Sequence, residues 1–271
     1  MITLIAQKVN IYPGDGKHAY ARTGELSFMH LKKVGAKGVL IGHSEAGESM
    51  EEVNKKLQAA FEAGLKRNIV LLGEEWKDLE KPWHELSEAN RKHAKNIVEE
   101  KCLKAFETIG EGILMETVVS YEPGWGVKGS GKSNVPPPQP EQIEAMAKTI
   151  RSVFIEKYGQ EIGGAVRIIY GGSMSPDRAG EIMPLENVDG FILGSAGTKT
   201  EWVKQIGEAI IKNKKEQTPV LALNWKAYNL EEDYDAFLKV VKPLEREIDV
   251  YVAPPATELF MLNEILKQKV K

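Results

Sequence analysis

Eight short apolar runs, at residues 3–6, 38–41, 69–72, 117–121, 166–170, 190–193, 220–223 and 250–252, set the problem that any fold of this chain must solve. Each has the length and β-branched content of a strand, and several are apolar almost throughout, which predicts burial on both faces. The segments between them, such as 51–61, 141–158 and 231–241, return apolar residues every three or four positions and predict helices. Alternating strands and helices favour parallel pairing, because a parallel connection needs a crossover and a helix supplies it. Eight such units in about 250 residues is the size of a closed (β/α)8 barrel. An open doubly wound sheet is the alternative. Against it, no G-x-G-x-x-G follows the first run, and polar, glycine-rich residues follow several runs instead of gathering at one switch point. Residues 1–271 are read as a single domain, since the most linker-like stretch, 212–219, is only a helix-to-strand connection.

With 42% hydrophobic and 28% charged residues, the chain can bury a full core and has no signature of disorder. A formal charge of −3 gives no electrostatic reason to expect nucleic acid, and the lysines of 212–215 read as a solvated helix end. No apolar run is long enough to span a bilayer, and Gln7 and Lys8 stop the opening run before a leader could build. A soluble, cytoplasmic protein is the expectation. Cys102 is the sole cysteine, so neither an intrachain disulfide nor a thiolate metal site can form, and it is placed at a half-buried helical position. His18, His30, His84 and His93 lie among polar residues without ligand spacing, so no metal and no cofactor are expected.

One stretch invites a different reading. Gly126 to Ser133 fits G-x-x-x-x-G-K-S, the spacing of a nucleotide phosphate loop. That loop must run directly into a helix whose N-terminal end faces the phosphates. Here Pro136, Pro137 and Pro138 follow, and the first helix is predicted near Glu141. Nucleotide binding is therefore discounted, and a glycine-rich loop after a strand remains.

In a barrel the residues just past each strand converge on one mouth. Those positions hold Gly42-His43-Ser44-Glu45, Glu122-Pro123, Gly171-Gly172-Ser173, Gly194-Ser195 and Asn224-Trp225-Lys226. Singly, each has a structural explanation as a surface charge or a turn residue. Together they bring a carboxylate, an imidazole, an ammonium and an amide to one pocket beside glycine-rich turns. Such a set suits proton transfer next to a carbonyl: Glu122 as base at carbon, a neutral His43 moving protons between two oxygens, and Lys226 with Asn224 stabilising an enediolate. Backbone N–H groups at Ser173, Gly194 and Ser195 suit a phosphate, and the loop after Glu122 could cover it.

These segments resemble triosephosphate isomerase, across essentially the whole chain. Asn224-Trp-Lys226, Gly42-His-Ser-Glu45, Tyr121-Glu-Pro123, Tyr170-Gly-Gly-Ser173 and Asp189-Gly-Phe-Ile-Leu-Gly194 match the family's signature segments one by one. In that family a glutamate base works beside a neutral histidine under a closing loop, and these roles come from the resemblance. It also implies Ser44 and Glu45 as supporting residues, Gly129 as the phosphate-binding glycine of the lid, and a homodimer built through the loop around Thr23. The order differs from the family's: the Asn-x-Lys segment ends the family's first strand but lies near the C-terminus here, so the barrel resembles a circular permutant running three to eight, then one and two. After Glu45 the family continues with two arginines and a longer loop, whereas this chain has Ala46-Gly-Glu-Ser49. The expected activity is interconversion of dihydroxyacetone phosphate and glyceraldehyde 3-phosphate. The alternatives are isomerisation of a related small ketose or aldose phosphate, or a catalytically silent phosphate-binding barrel.

Overall fold

The computed structural model describes residues 2–11, 25–75, 83–126, 136–228 and 233–268. Eight parallel strands close into a barrel in chain order: β1 (Thr3–Ala6), β2 (Gly38–Ile41), β3 (Asn68–Leu72), β4 (Thr117–Tyr121), β5 (Arg167–Gly171), β6 (Gly190–Leu193), β7 (Val220–Asn224) and β8 (Asp249–Ala253). Closure is made by β1 against β8, with Thr3 opposite Tyr251 and Leu4 opposite Val252. The eight predicted runs are the eight strands, with ends shifted by a residue at β3, β5, β7 and β8. The doubly wound alternative is ruled out by that closure.

Alternation along each strand explains the nearly unbroken apolar runs. Leu40, Ile69 and Leu71 point into the barrel with Ile5, Val118, Ile169 and Ile192, while their neighbours Val39, Ile41 and Val70 pack outward under the helices. Nine helices cover the barrel among the described residues: α1 (Phe28–Lys33), α2 (Met50–Glu62), α3 (Glu88–Ala105), α4 (Glu111–Leu114), α5 (Pro140–Ala165), α6 (Pro176–Ile182), α7 (Thr200–Lys212), α8 (Tyr234–Leu244) and α9 (Ala256–Gln268). Their starts are written in the sequence. Ser49 and Glu52 form a capping box on α2, and Ser87, Ser175 and Asp233 cap α3, α6 and α8. α5 begins with Pro140 at its first turn, where a missing N–H costs nothing, and breaks at Gly159 (φ 83°), one residue past the predicted end.

Two expectations change. Cys102 is fully buried rather than half-buried, because the face of α3 that carries it also carries Ala94, Val98 and Ala105 into the core; burial pushes its thiol well above the ordinary range. Lys215 is not simply solvated: its ammonium donates to the carbonyls of Glu186 (3.0 Å), Val188 (2.6 Å) and Leu185, tying the connection before β7 to the turn before β6. His30, His84 and His93 are exposed as expected, and His18 lies outside the described residues.

Candidate active site

The mouth is assembled from strand ends. Glu122 follows β4, its N–H bonded to the Leu72 carbonyl at 2.8 Å, and its side chain is 7% exposed. The preceding strand can pass this close only because residue 73 is glycine: a Cβ there would meet the Glu122 carbonyl oxygen at 2.2 Å. One carboxylate oxygen, Oε1, accepts from the Ser44 N–H (3.3 Å) and hydroxyl (3.0 Å). The other, Oε2, stands 3.6 Å from His43 Nε2.

His43 reaches that position through a sharp exit from β2. Gly42 has φ 83°, and a Cβ on it would lie 2.5 Å from the Leu71 carbonyl oxygen. Its N–H donates to Glu48 Oε2 at 2.7 Å, and Lys56 pairs with the other oxygen of Glu48. His43 then caps a 3-10 turn, Ser44–Ala46, with Nδ1 accepting from the Glu45 N–H at 3.2 Å. An accepting Nδ1 carries no proton, so the neutral ring holds its proton on Nε2, the nitrogen turned toward Glu122. This is the tautomer a proton shuttle needs.

Lys226 follows β7 in the left-handed region, with φ 51°, the only non-glycine there among the described residues. Such a conformation costs about 1–2 kcal/mol for an L-residue. It is held by its N–H to Asn224 Oδ1 (3.1 Å) and by Gln7 Nε2 to its carbonyl (2.7 Å). Between them Trp225 is fully buried, edge-on to Phe237 at 5.2 Å and bonded through Nε1 to the Gly197 carbonyl at 3.1 Å. The strained turn therefore sits on a packed anchor. Lys226 Nζ binds Glu45 Oε1 at 2.6 Å. Burial of Glu45 opposes its ionisation, but the hydrogen bond and charge of Lys226 outweigh it and hold the carboxyl below its usual range.

Opposite the carboxylate, Gly194 leads into a second 3-10 turn, Ser195–Thr198, ahead of α7. A cavity of about 160 Å3 is lined by His43, Glu122, Ser173, Gly194, Ser195, Asn224 and Lys226 together. Residues from the ends of five strands thus share one cavity, while Gly129 lies outside the described residues. Ser44 and Glu45 stand behind the cavity and hold Glu122 and Lys226. One detail departs from expectation: the Ser173 N–H does not point free into the cavity but donates to the Gly126 carbonyl at 3.1 Å, joined by its hydroxyl at 3.0 Å.

Several residues were not singled out in the sequence. Lys199, Trp202 and Tyr228 also line the cavity, Lys199 with its ammonium 4.8 Å from the Trp202 ring centroid. The turn after Gly194 brings Lys199 and Trp202 back to the mouth and the turn after β7 brings Tyr228, and a strand-end rule stops short of all three. Glu74 was also missed. It is completely buried, and one of its oxygens accepts from Tyr121 Oη (2.9 Å), Trp125 Nε1 (3.2 Å) and Gln142 Nε2 (3.3 Å), tying the stretch after Glu122 to the start of α5. Burial raises its pKa against those hydrogen bonds.

Fold and mouth together define a (β/α)8-barrel protein with a carboxylate, an imidazole and an ammonium around one cavity. A model of the triosephosphate isomerase family matches residues 1–210. The chain is 36% identical over 185 residues to the triosephosphate isomerase of Alkaliphilus oremlandii, covering 67% of this chain and 68% of that protein. It is 37% identical over 191 residues to that of Chloroflexus aurantiacus (69% of each) and 34% over 205 residues to that of Thermoanaerobacter pseudethanolicus (72% and 75%). The chain belongs to the triosephosphate isomerase family.

Proposed function

We propose that this protein interconverts dihydroxyacetone phosphate and glyceraldehyde 3-phosphate through an enediolate. The observation that carries the proposal is the shared cavity in which the Glu122 carboxylate and the protonated nitrogen of His43 stand 3.6 Å apart, with Asn224 and Lys226 in the same lining. Glu122 takes a proton from carbon, and the charge moves onto the carbonyl oxygen. His43 Nε2–H donates to that oxygen and takes a proton from the neighbouring hydroxyl; Lys226 and Asn224 stabilise the developing negative charge. Glu122 then returns a proton to the adjacent carbon. Gly194 and Ser195 offer backbone N–H groups to the phosphate, aided by Lys226, Ser173 and Gly129. Proton transfer alone completes the reaction, so no redox or metal step enters it. A coupled assay with each triose phosphate tests the proposal: turnover in both directions supports it, and turnover of a different ketose or aldose phosphate alone, or of none, would replace it.

The chain order is read as a permutation. Supporting this, the family match ends at residue 210, while β7 and β8 beyond it supply Asn224 and Lys226 and close the barrel against β6 and β1. The assembly is read as a homodimer. A cavity of about 540 Å3 beside the turn that carries His43, lined by Lys8, Asn10, Leu26, Ala46, Glu48 and Lys56, offers a place for a partner's loop. The loop around Thr23, which resembles the family's dimer-forming loop, lies outside the described residues. Among the described residues no helix is long and apolar enough to cross a membrane, and the working location is taken as the cytoplasm.

A further inference from the structure

The turn after β5 is held from behind by an arginine that the proton-transfer constellation does not use. Arg178 lies in the first turn of α6, half-buried. Its Nε donates to the Ser173 carbonyl at 3.2 Å and its Nη2 to the Pro138 carbonyl at 2.9 Å. Ser173 in turn commits its N–H and hydroxyl to the Gly126 carbonyl. One guanidinium thus joins the turn that lines the cavity to the approach to α5, and through Ser173 to the stretch that follows Glu122.

A planar fork suits this geometry, sending two diverging donors from separate nitrogens to carbonyls on two separate segments, whereas an ammonium must serve both from a single nitrogen. The turn also has no room on its other side: a Cβ on Gly172 would fall 2.1 Å from Tyr170 Oη. Charge adds to this. Lys226 is already paired with Glu45 at 2.6 Å, whereas among the described residues no carboxylate pairs with Arg178. Its positive charge therefore stands without an ion-pair partner among the described residues, behind a turn where a phosphate would gather negative charge.

We propose that Arg178 is a positioning residue for the substrate's phosphate: it fixes the Ser173 turn and lends it a full positive charge without touching the substrate. The inference rests on reading the cavity as a sugar-phosphate site. Inorganic phosphate, titrated calorimetrically into the wild-type protein, Arg178→Met and Arg178→Lys, provides a readout that needs no turnover; kcat and KM for the triose phosphates are measured beside it. Loss of a charged, bridging contact predicts about tenfold weaker phosphate binding and a similar rise in KM in Arg178→Met, with kcat within about twofold. Arg178→Lys keeps the charge but not the bridge and should fall between the two. Unchanged phosphate affinity in both variants, no phosphate binding by the wild type, or a loss confined to kcat overturns the proposal. Should Arg178→Met not fold, Arg178→Lys decides: wild-type phosphate affinity there removes the bridging role. A wild type whose phosphate binding weakens in the Arg178 variants but which turns over neither triose phosphate would sink the isomerase reading while leaving this one standing.

Discussion

His43 Nε2 stands 3.6 Å from Glu122 Oε2, although the two residues leave strands that are not neighbours in the barrel. β3 runs between those strands, and the missing side chain at Gly73 lets Glu122 close over its end. The separation is too long for a hydrogen bond, so the imidazole is not spent on the carboxylate and both groups face the cavity. Ser44, one residue after His43, holds the far oxygen of Glu122. A single turn therefore places the shuttle and orients the base.

That arrangement makes Ser44→Ala informative. The variant keeps the backbone N–H at 3.3 Å and loses the hydroxyl at 3.0 Å, leaving the carboxylate freer to turn. Removing one hydrogen bond to a charged group predicts a fall in kcat of about tenfold, with KM within about twofold. Steady-state kinetics check it; an unchanged kcat would mean that packing alone orients Glu122.

Glu74 predicts a pH dependence of stability. Its ordinary value is 4.5, and burial raises it in the folded state. Well below 4.5 both folded and unfolded chains hold the proton and the group contributes nothing. As pH rises past that point the unfolded chain releases the proton while the folded chain keeps it, so folded stability declines until the folded pKa is passed. Glu74→Gln cannot ionise. The Tm of this variant relative to wild type should therefore climb as pH rises above 4.5, and a gap that stays constant would mean that Glu74 is not protonated in the folded state.

The strands and the mouth were legible because they depend on local pattern. Apolar runs of strand length marked β1 to β8, and polar residues just beyond them marked His43, Glu122, Asn224 and Lys226. The nucleotide-loop spacing at 126–133 is set aside on the prolines alone: residues 127–135 lie outside the described residues, and among those described the next helix begins at Pro140. What was not legible depends on contacts across the fold. Nothing around Glu74 signals that Tyr121, Trp125 and Gln142 will all converge on it, and Arg178 reads as an ordinary helix-surface charge until Ser173 and Pro138 are brought to it. The engagement of the Ser173 N–H with Gly126 was hidden for the same reason.

If the chain order is a permutation, the connection through 212–219 is another place at which the chain could be opened. A rearranged chain that begins at residue 217, runs to 271, and continues through a short flexible linker into 1–216 should fold to an active barrel, with kcat within about tenfold, since all eight strands and every mouth residue are kept. Some loss of stability is expected, because the Lys215 bonds to the turn before β6 would then tie down a chain end. An insoluble or inactive product would argue that the present order is required for folding.

A homodimer has about twice the mass of a chain of 30.1 kDa, and light scattering at micromolar concentration should report it. Glu48→Ala, which breaks the contact to Gly42 and alters the lining of the 540 Å3 cavity, should shift the protein toward monomer and lower kcat by about tenfold through His43. A fully active monomer would show that the cavity does not receive a partner.

Glu122 as the base at carbon is tested by kcat and KM of wild type, Glu122→Asp and Glu122→Gln on the two triose phosphates. Aspartate withdraws the carboxylate by about 1 Å, a displacement that can cost ~10²-fold when geometry carries the rate. Glutamine keeps the shape and removes the basicity, so its loss should be larger. In both variants the damage should fall on kcat, while inhibition by a phosphorylated enediolate mimic shows the phosphate end of the cavity still able to bind. Wild-type turnover by Glu122→Gln would rule out Glu122 as the base.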